Sequence, residues 1–92
     1  MRLDLFLKLT RVIKRRSMAK KYCDHSLVKV NSQSAKAARE IRVGDEITLT
    51  FWDRIMTIRV LGIPSKGIRT QEANTLYTVI SEERKASPDE IR

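Results

Sequence analysis

The spacing of apolar residues changes from a helical period to a strand-like period close to Cys23. Before that point Leu3, Phe6 and Leu7 recur at three- and four-residue intervals, which is typical of a short amphipathic helix. After it, residues 27–31 alternate between apolar and polar side chains, as a half-buried strand does. The chain's length of 92 residues predicts a single domain, and helices followed by strands predict an α+β fold in which two short helices pack on a small, mostly antiparallel sheet.

Two helices are expected in the basic N-terminal part of the chain. The first begins near Asp4, whose charge suits a helix start, and residues 12–13 continue its apolar stripe. Residues 14–16 form a polar break. Ser17 then stands where an N-cap belongs, and residues 18–23 place apolar side chains on one face of a second helix.

The strands are predicted from alternation and turn residues. Asn31-Ser32 supplies a turn after the first strand, and residues 33–40 are polar and expected to be irregular. A strand at 46–51, a turn at 52–54 and a returning strand at 55–61 form a hairpin.

The C-terminal segment allows two interpretations. A helix capped by Thr70 is favoured by apolar residues at helical intervals, namely Ala73, Leu76, Tyr77 and Ile80. The β-branched pair at 78–79 favours a strand at 76–80 instead. In either case we expect one domain at 1–62 and an extension at 63–92 that packs on it and frays at its end, from Glu82 onward.

The net charge of the chain lies entirely in its first half. Residues 1–45 contain 12 Lys and Arg against 4 Asp and Glu, whereas residues 46–92 contain 7 of each kind. The basic residues gather around 2–4 and 14–17. This asymmetry is typical of a surface that binds a polyanion, with nucleic acid the leading candidate, although a solvated basic loop is the simpler alternative.

Several classes of function are disfavoured by the composition. Cys23 is the only cysteine, so no intramolecular disulfide is expected and a reducing cytosol fits. No apolar run approaches the length of about 18 residues that a membrane span needs, and no signal peptide is evident. His25 has no partner at metal-ligand spacing, and there is neither a P-loop nor a nucleophile–base set. We therefore expect a cytoplasmic, non-enzymatic protein without a cofactor.

The predicted site surrounds the start of the second helix. A helix N-terminus carries partial positive charge, and residues 14–16 add full charges there. The arginines can also bind a phosphate with two parallel hydrogen bonds. We expect Asp4 to orient Arg2 and Ser17 to cap the helix. The complete set of candidate RNA-binding residues is Arg2, Asp4, Lys8, Arg11, Lys14, Arg15, Arg16, Ser17, Lys20 and Lys21.

Two further side chains allow a structural and a functional interpretation. Cys23 lies on the apolar stripe, where a buried thiol is the expected state. Trp52 lies in the hairpin turn, and packing over the hairpin is favoured over stacking on a nucleobase.

Four blocks of the sequence resemble the alpha-L RNA-binding motif, the domain named after small-subunit ribosomal protein S-four. They are Arg2-Leu3-Asp4 with Phe6-Leu7, Arg16-Ser17 with Ala19, Val28-Lys29-Val30-Asn31, and Gly44-Asp45. The whole chain is similar to small stand-alone members of this family, of the ribosome-quality-control type RqcP and the fifteen-kilodalton heat-shock type. That family usually has glycine, which tolerates a positive φ, where Ser26 and Ser32 stand here.

The resemblance implies a specific role. A protein of this kind would bind 23S ribosomal RNA and tRNA on obstructed large ribosomal subunits that carry peptidyl-tRNA. It would thereby support alanine tailing of the nascent chain by a tailing factor, and it would be a monomer when free. Three alternatives remain open at this point: a heat-shock-type factor that recycles subunits, a detached accessory domain of an RNA-modifying enzyme, and a protein that binds an anionic membrane surface.

Overall fold

A computed structural model of the chain describes residues 1–63 and 76–84. Two helices come first and five strands follow: α1 (Leu3–Leu9), α2 (Arg16–Asp24), β1 (Val28–Val30), β2 (Gln33–Ser34), β3 (Glu46–Thr50), β4 (Arg54–Val60) and β5 (Tyr77–Arg84). The strands form one antiparallel sheet in the order β2-β1-β3-β4-β5. The predicted α+β architecture is confirmed.

The core lies between the helices and one face of the sheet. Met56, Ile58 and Val60 of β4 are buried, as their alternation predicts, and they join the apolar side chains of α1 and α2. On the opposite face the hydroxyl oxygens of Thr48 and Thr57 lie 3.1 Å apart across β3 and β4. The helices therefore cover a single face of the sheet.

Helix α1 is shorter than its apolar pattern predicts. The hydroxyl of Thr10 donates to the carbonyl of Phe6 at 2.7 Å, and Arg11 adopts a left-handed conformation with φ 61°. This conformation ends the helix, and the N–H of Ile13 turns back to the carbonyl of Leu7 at 3.1 Å. Ile13 is still buried, because the chain folds back over α1 instead of extending it.

Helix α2 ends in a Schellman motif centred on Ser26. The N–H of Leu27 donates to the carbonyl of Tyr22 at 2.8 Å, and that of Ser26 donates to Cys23 at 3.0 Å. Ser26 occupies the left-handed position of the motif with φ 58°. A serine is therefore strained where a glycine would not be.

The turn after β1 is confirmed, but the irregular segment predicted at 33–40 is partly wrong. Asn31 and Ser32 both have positive φ, 51° and 70°, which is the geometry of a two-residue hairpin turn. That turn brings Gln33–Ser34 back along β1 as β2, with Val30 paired to Gln33. Polarity concealed this strand, because both of its residues are exposed at the sheet edge.

The C-terminal segment is a strand over the described residues. Tyr77–Arg84 pairs along the whole of β4, so the helical interpretation is wrong there and the β-branched residues indicate the correct structure. Pairing continues through Glu82–Arg84, where fraying was expected. The pattern positions Thr70 and Ala73 lie outside the described residues, and the domain boundary at residue 62 stays a prediction.

The aromatic ring that packs at the β3–β4 turn is Phe51 and not Trp52. Phe51 lies against Tyr22 of α2, with 5.7 Å between ring centroids, and the guanidinium of Arg54 covers its ring at 4.7 Å. Trp52 is left 87% exposed. The prediction that Trp52 packs over the hairpin is therefore wrong, because its neighbours already fill that place.

Candidate nucleic-acid interface

A buried carboxylate lies at the centre of the basic region. Asp4 is only 2% exposed, and its Oδ1 accepts a hydrogen bond from the backbone N–H of Leu5 at 2.8 Å. Arg2 contacts both carboxylate oxygens, with Nε 3.3 Å from Oδ1 and Nη2 3.4 Å from Oδ2. Nε of Arg16 donates to Oδ2 at 3.1 Å. One carboxylate thus fixes two guanidinium groups whose side chains remain about half exposed.

The predicted contact between Asp4 and Arg2 is confirmed, whereas the contact with Arg16 was missed. Asp4 and Arg16 are twelve residues apart and belong to different helices, so no local pattern connects them. Only the packing of α1 against α2 brings them together. The positioning role of Asp4 therefore extends to a second arginine.

Backbone hydrogen bonds from residues 35–41 hold the start of α1 in place. The N–H of Leu3 donates to the carbonyl of Arg39 at 2.8 Å, and that of Asp4 donates to Ala37 at 3.1 Å. The N–H of Ile41 donates to the carbonyl of Met1 at 3.0 Å. These bonds occupy two amides of the first turn of α1, so these amides are not available to an anion and the bonds hold Arg2 and Asp4 in position.

Helix α2 begins two residues earlier than predicted, and Ser17 does not cap it. Arg15 is the extended N-cap residue, with φ −125° and ψ 140°, and no side chain caps the helix. Arg16 is the first helical residue and its side chain contacts Asp4, so Ser17 lies inside the first turn. The first turn of α2 carries no acidic residue.

This charge distribution is unfavourable for an isolated helix. Cations stabilise the C-terminal end of a helix, yet Arg15 and Arg16 stand at the positive N-terminal end of α2. Asp4 compensates for part of this charge from α1. Local rules are most often broken at functional sites, and a phosphate bound here would relieve the remaining repulsion.

Half of the predicted residues line one groove. A first concavity is formed by Arg2, Asp4, Arg16, Ser17 and Lys20. A second shares Arg2 and Lys20 with it and continues past Cys23 and Asp24 to the 34–38 segment. Because the two concavities adjoin at Arg2 and Lys20, we refer to them together as the α2 groove.

The other predicted residues are exposed outside the α2 groove. Lys8 lies in the last turn of α1, and Lys21 lies in the last turn of α2. Arg11, Lys14 and Arg15 lie on the segment that joins the two helices. These residues contribute to the positive potential of this side of the molecule but do not line the groove.

Lys36 is a groove residue that sequence reasoning missed. It is exposed between Ala35 and Ala37, which are both 6% exposed and anchor the segment in the core. The alternation of small and polar residues at 35–37 could have indicated that Lys36 is exposed between two buried alanines. This segment lies within a polar stretch that was expected to be irregular. Lys36 places a cation on the wall of the groove that faces Lys20.

The thiol of Cys23 is buried, as predicted, and Cys23 also lines the α2 groove. Burial raises the pKa of Cys23 to about 11, and the nearby charges of Asp4 and Asp24 act in the same direction. In the described part of the chain, no three His, Cys, Asp or Glu side chains form a group that could hold a metal ion. No helix among the described residues is long and apolar enough to cross a membrane.

Comparison with known proteins gives consistent matches. The S4 domain family matches residues 1–47. A protein of Halalkalibacterium halodurans named RQC P-site tRNA stabilizing factor is 41% identical over 83 residues, which cover 90% of this chain and 93% of the relative. A Bacillus subtilis protein of the same name is 38% identical over 84 residues, covering 91% and 96%.

A solved structure supports the same assignment. Heat Shock Protein 15 of Vibrio cholerae superposes with a TM-score of 0.78 at 32% identity, over 88% of this chain and 82% of that chain. The family match covers the α2 groove and both helices, and the relatives extend over nine tenths of the chain. The chain therefore belongs to the S4-domain family, in the group of the RQC P-site tRNA stabilizing factors.

Proposed function

We propose that this protein is a non-enzymatic RNA-binding factor of ribosome-associated quality control. In this proposal it binds 23S ribosomal RNA and tRNA on obstructed large ribosomal subunits in the cytoplasm, where peptidyl-tRNA is still bound. The name of its relatives, which refers to stabilisation of P-site tRNA, supports the tRNA part. The S4 domain supports RNA binding.

The observation that carries the proposal is the pair of guanidinium groups fixed by Asp4. Arg2 and Arg16 each use some donors on the carboxylate and present the rest of an exposed fork to the α2 groove. Such forks match the geometry of phosphate oxygens. Because Asp4 holds both groups before RNA arrives, little side-chain entropy is lost on binding. The arrangement suits a helical RNA that is recognised by shape, phosphates and 2′-hydroxyls.

In this proposal the protein holds its RNA ligands in place and catalyses no reaction. Lys20 and Lys36 extend the phosphate contacts along the groove. Lys8, Arg11, Lys14, Arg15 and Lys21, outside the groove, would raise the association rate through their long-range field. With tRNA held in place, a partner tailing factor would add alanine to the nascent chain. The free protein would be a monomer in this scheme.

Reconstitution with purified components tests the proposal. Large subunits that carry peptidyl-tRNA are incubated with the parent protein or with the Arg15→Ala/Arg16→Ala variant, and co-sedimentation and alanine-tail length are measured. The parent should co-sediment and lengthen the tails, whereas the variant should do neither. Co-sedimentation of the variant at the level of the parent would show that the groove assignment is wrong.

A second candidate function is favoured by the fold similarity to Heat Shock Protein 15. In this alternative the protein recycles subunits that bear nascent chains without supporting tailing. Affinity purification from cells separates the two functions. Recovery of a tailing factor together with the large subunit supports the first, and recovery of the subunit without a tailing factor supports the second.

A further inference from the structure

The single tryptophan of the chain, Trp52, is exposed at the turn between β3 and β4. Trp52 is 87% exposed, although tryptophan usually buries a large part of its surface. We propose that Trp52 stacks on an unpaired RNA base. This inference rests on the proposed RNA-binding function and adds a contact outside the α2 groove.

The turn that carries Trp52 is held rigidly by its neighbours. The N–H of Phe51 donates to the carbonyl of Arg54 at 2.8 Å and closes the turn. The guanidinium of Arg54 lies over the Phe51 ring and donates to Asp53 at 3.2 Å. The Phe51 ring packs against Tyr22 of α2. These contacts therefore hold the turn and its indole in place before a ligand binds, which lowers the entropy lost when a ligand stacks on the indole.

A nucleobase fits this site better than a protein surface does. Of the other exposed large apolar residues of the described chain, Val43, Leu61 and Ile63 lie towards the opposite end of the sheet, and Val79 and Ile80 lie in the middle part of the β4–β5 pair. The exception is Met18, one turn before Tyr22 on α2. A stable protein interface buries about 800 Å² on each partner, whereas stacking needs a single flat ring.

The charges at the turn are consistent with an uncharged ligand group. Arg54 is engaged by Asp53 and, at 3.5 Å, by Glu82 of β5. These three side chains carry a net charge of −1, so the turn offers no unpaired arginine to a phosphate. A base is uncharged and stacks through its ring face, so the phosphates of the same RNA can be bound elsewhere.

The position of Trp52 separates its ligand from the RNA segment in the groove. Ala19 and Cys23 mark the buried stripe of α2, and Lys20 lies on the flank that borders the groove. Tyr22 lies on the other flank, where it meets Phe51. The stacked base therefore belongs to a neighbouring unpaired nucleotide or to a second RNA. Ribosomal RNA and tRNA are the two sources to be distinguished.

Fluorescence provides a direct test, because Trp52 is the sole tryptophan. The intact protein is titrated in separate arms with deproteinised 23S ribosomal RNA and with tRNA, neither of which contributes tryptophan emission. Stacking should quench the emission and protect the indole from acrylamide. The arm that shows both effects identifies the source of the base.

Affinity measurements with labelled RNA complete the test. Trp52→Ala should weaken binding about 5- to 150-fold, as expected for the removal of one stacking ring. Trp52→Phe should restore part of that affinity because a phenyl ring also stacks. Val43→Ala is the matched control, since Val43 is 61% exposed at the opposite end of β3 and should bind RNA like the parent.

The outcomes distinguish this inference from the proposed function. Unchanged emission and acrylamide access with RNA bound, or full affinity of Trp52→Ala, would overturn the stacking contact. A Trp52→Ala defect seen with intact subunits but not with naked RNA would assign the turn to a protein partner and would also overturn it. If Arg2→Ala/Arg16→Ala keeps full RNA affinity, the proposed function itself fails.

Discussion

Arg16 donates from Nε to Oδ2 of Asp4 at 3.1 Å, and this contact joins the first turns of the two helices. Arg2 contacts the same carboxylate, so the three side chains carry a net charge of +1 and not the +2 of two arginines alone. The carboxylate reduces the positive charge of the site and at the same time fixes its geometry. These two effects act on RNA affinity in opposite directions, so a variant can show which is larger.

We expect Asp4→Asn to weaken RNA binding even though it raises the net charge of the chain from +8 to +9. The reason is that the neutral amide binds the two guanidinium groups less strongly, and they lose their fixed orientation. The measurement is the dissociation constant for ribosomal RNA at fixed salt.

Asp24→Asn is the matched control for Asp4→Asn. Asp24 also lines the groove but is exposed, so its removal should leave affinity unchanged or slightly improved. Tighter binding by Asp4→Asn than by the parent would mean that the carboxylate only attenuates the charge of the site.

Arg16→Ala should weaken RNA binding by about 1.5–3 kcal/mol, the range for a hydrogen bond to a charged group. It should also make the slope of log K against log salt shallower by about 0.7–0.9 for each phosphate that the variant no longer neutralises. Filter binding over a salt series measures both quantities.

Arg59→Ala removes the same charge from another surface. Arg59 pairs with Glu46 at 3.1 Å between β4 and β3, on the strand face that alternates with the buried residues. We expect the slope of log K against log salt for Arg59→Ala to equal that of the parent. Equal slopes for Arg16→Ala and the parent would exclude a phosphate contact at Arg16.

Ser26→Gly should stabilise the protein by about 0.5–1 kcal/mol. Glycine removes the strain of the left-handed position, and its greater freedom in the unfolded chain offsets part of the gain. Urea denaturation measures the change. Ser26→Ala should give no gain because alanine is strained in the same way, and a gain with alanine would refute the explanation. Ser32→Gly should act like Ser26→Gly, since Ser32 has φ 70° in the hairpin turn.

Stability should fall at high pH because of Cys23. The thiol has a pKa of about 11 in the folded chain against an ordinary value of 9.0, so the folded state binds this proton more tightly. This contribution is complete below pH 9 and is lost as the pH rises through about 11. Urea midpoints on both sides of this window measure it.

Cys23→Ala separates the thiol from other groups that titrate in this window. The variant should be less stable at neutral pH because it leaves a cavity. It should nevertheless lose less stability than the parent between pH 9 and 11. An identical loss in the two proteins would contradict the assignment to Cys23.

The elements with clear local periodicity were predictable from the sequence, and those fixed by distant pairing were not. Both helices and the β3–β4 hairpin follow from their own apolar spacing. Two apolar residues of the strand at 77–84, Tyr77 and Ile80, also fit a helical spacing. Pairing with β4 makes this segment a strand. Its β-branched residues were the better local signal.

In the candidate site, too, contacts between residues close in sequence were predictable, and contacts that depend on tertiary packing were not. Arg2 and Asp4 are two residues apart, so their contact could be anticipated. The Arg16–Asp4 contact and the groove position of Lys36 depend on tertiary packing, which no local pattern encodes. The residue type of Ser17 predicts a cap, but the helix starts two residues earlier, with Arg15 as its N-cap and Arg16 in contact with Asp4.

The hydrogen bonds between residues 35–41 and the start of α1 link RNA recognition to folding of the domain. Eight Lys and Arg residues lie within 1–26, and a peptide of that length would keep them all. It would lack the carbonyls of Ala37 and Arg39 that hold Asp4 and Leu3 in place. Under the proposed function, RNA binding at this site therefore requires the folded domain and not charge density alone. By linkage, any RNA that prefers the folded site raises the free energy of unfolding of the whole domain.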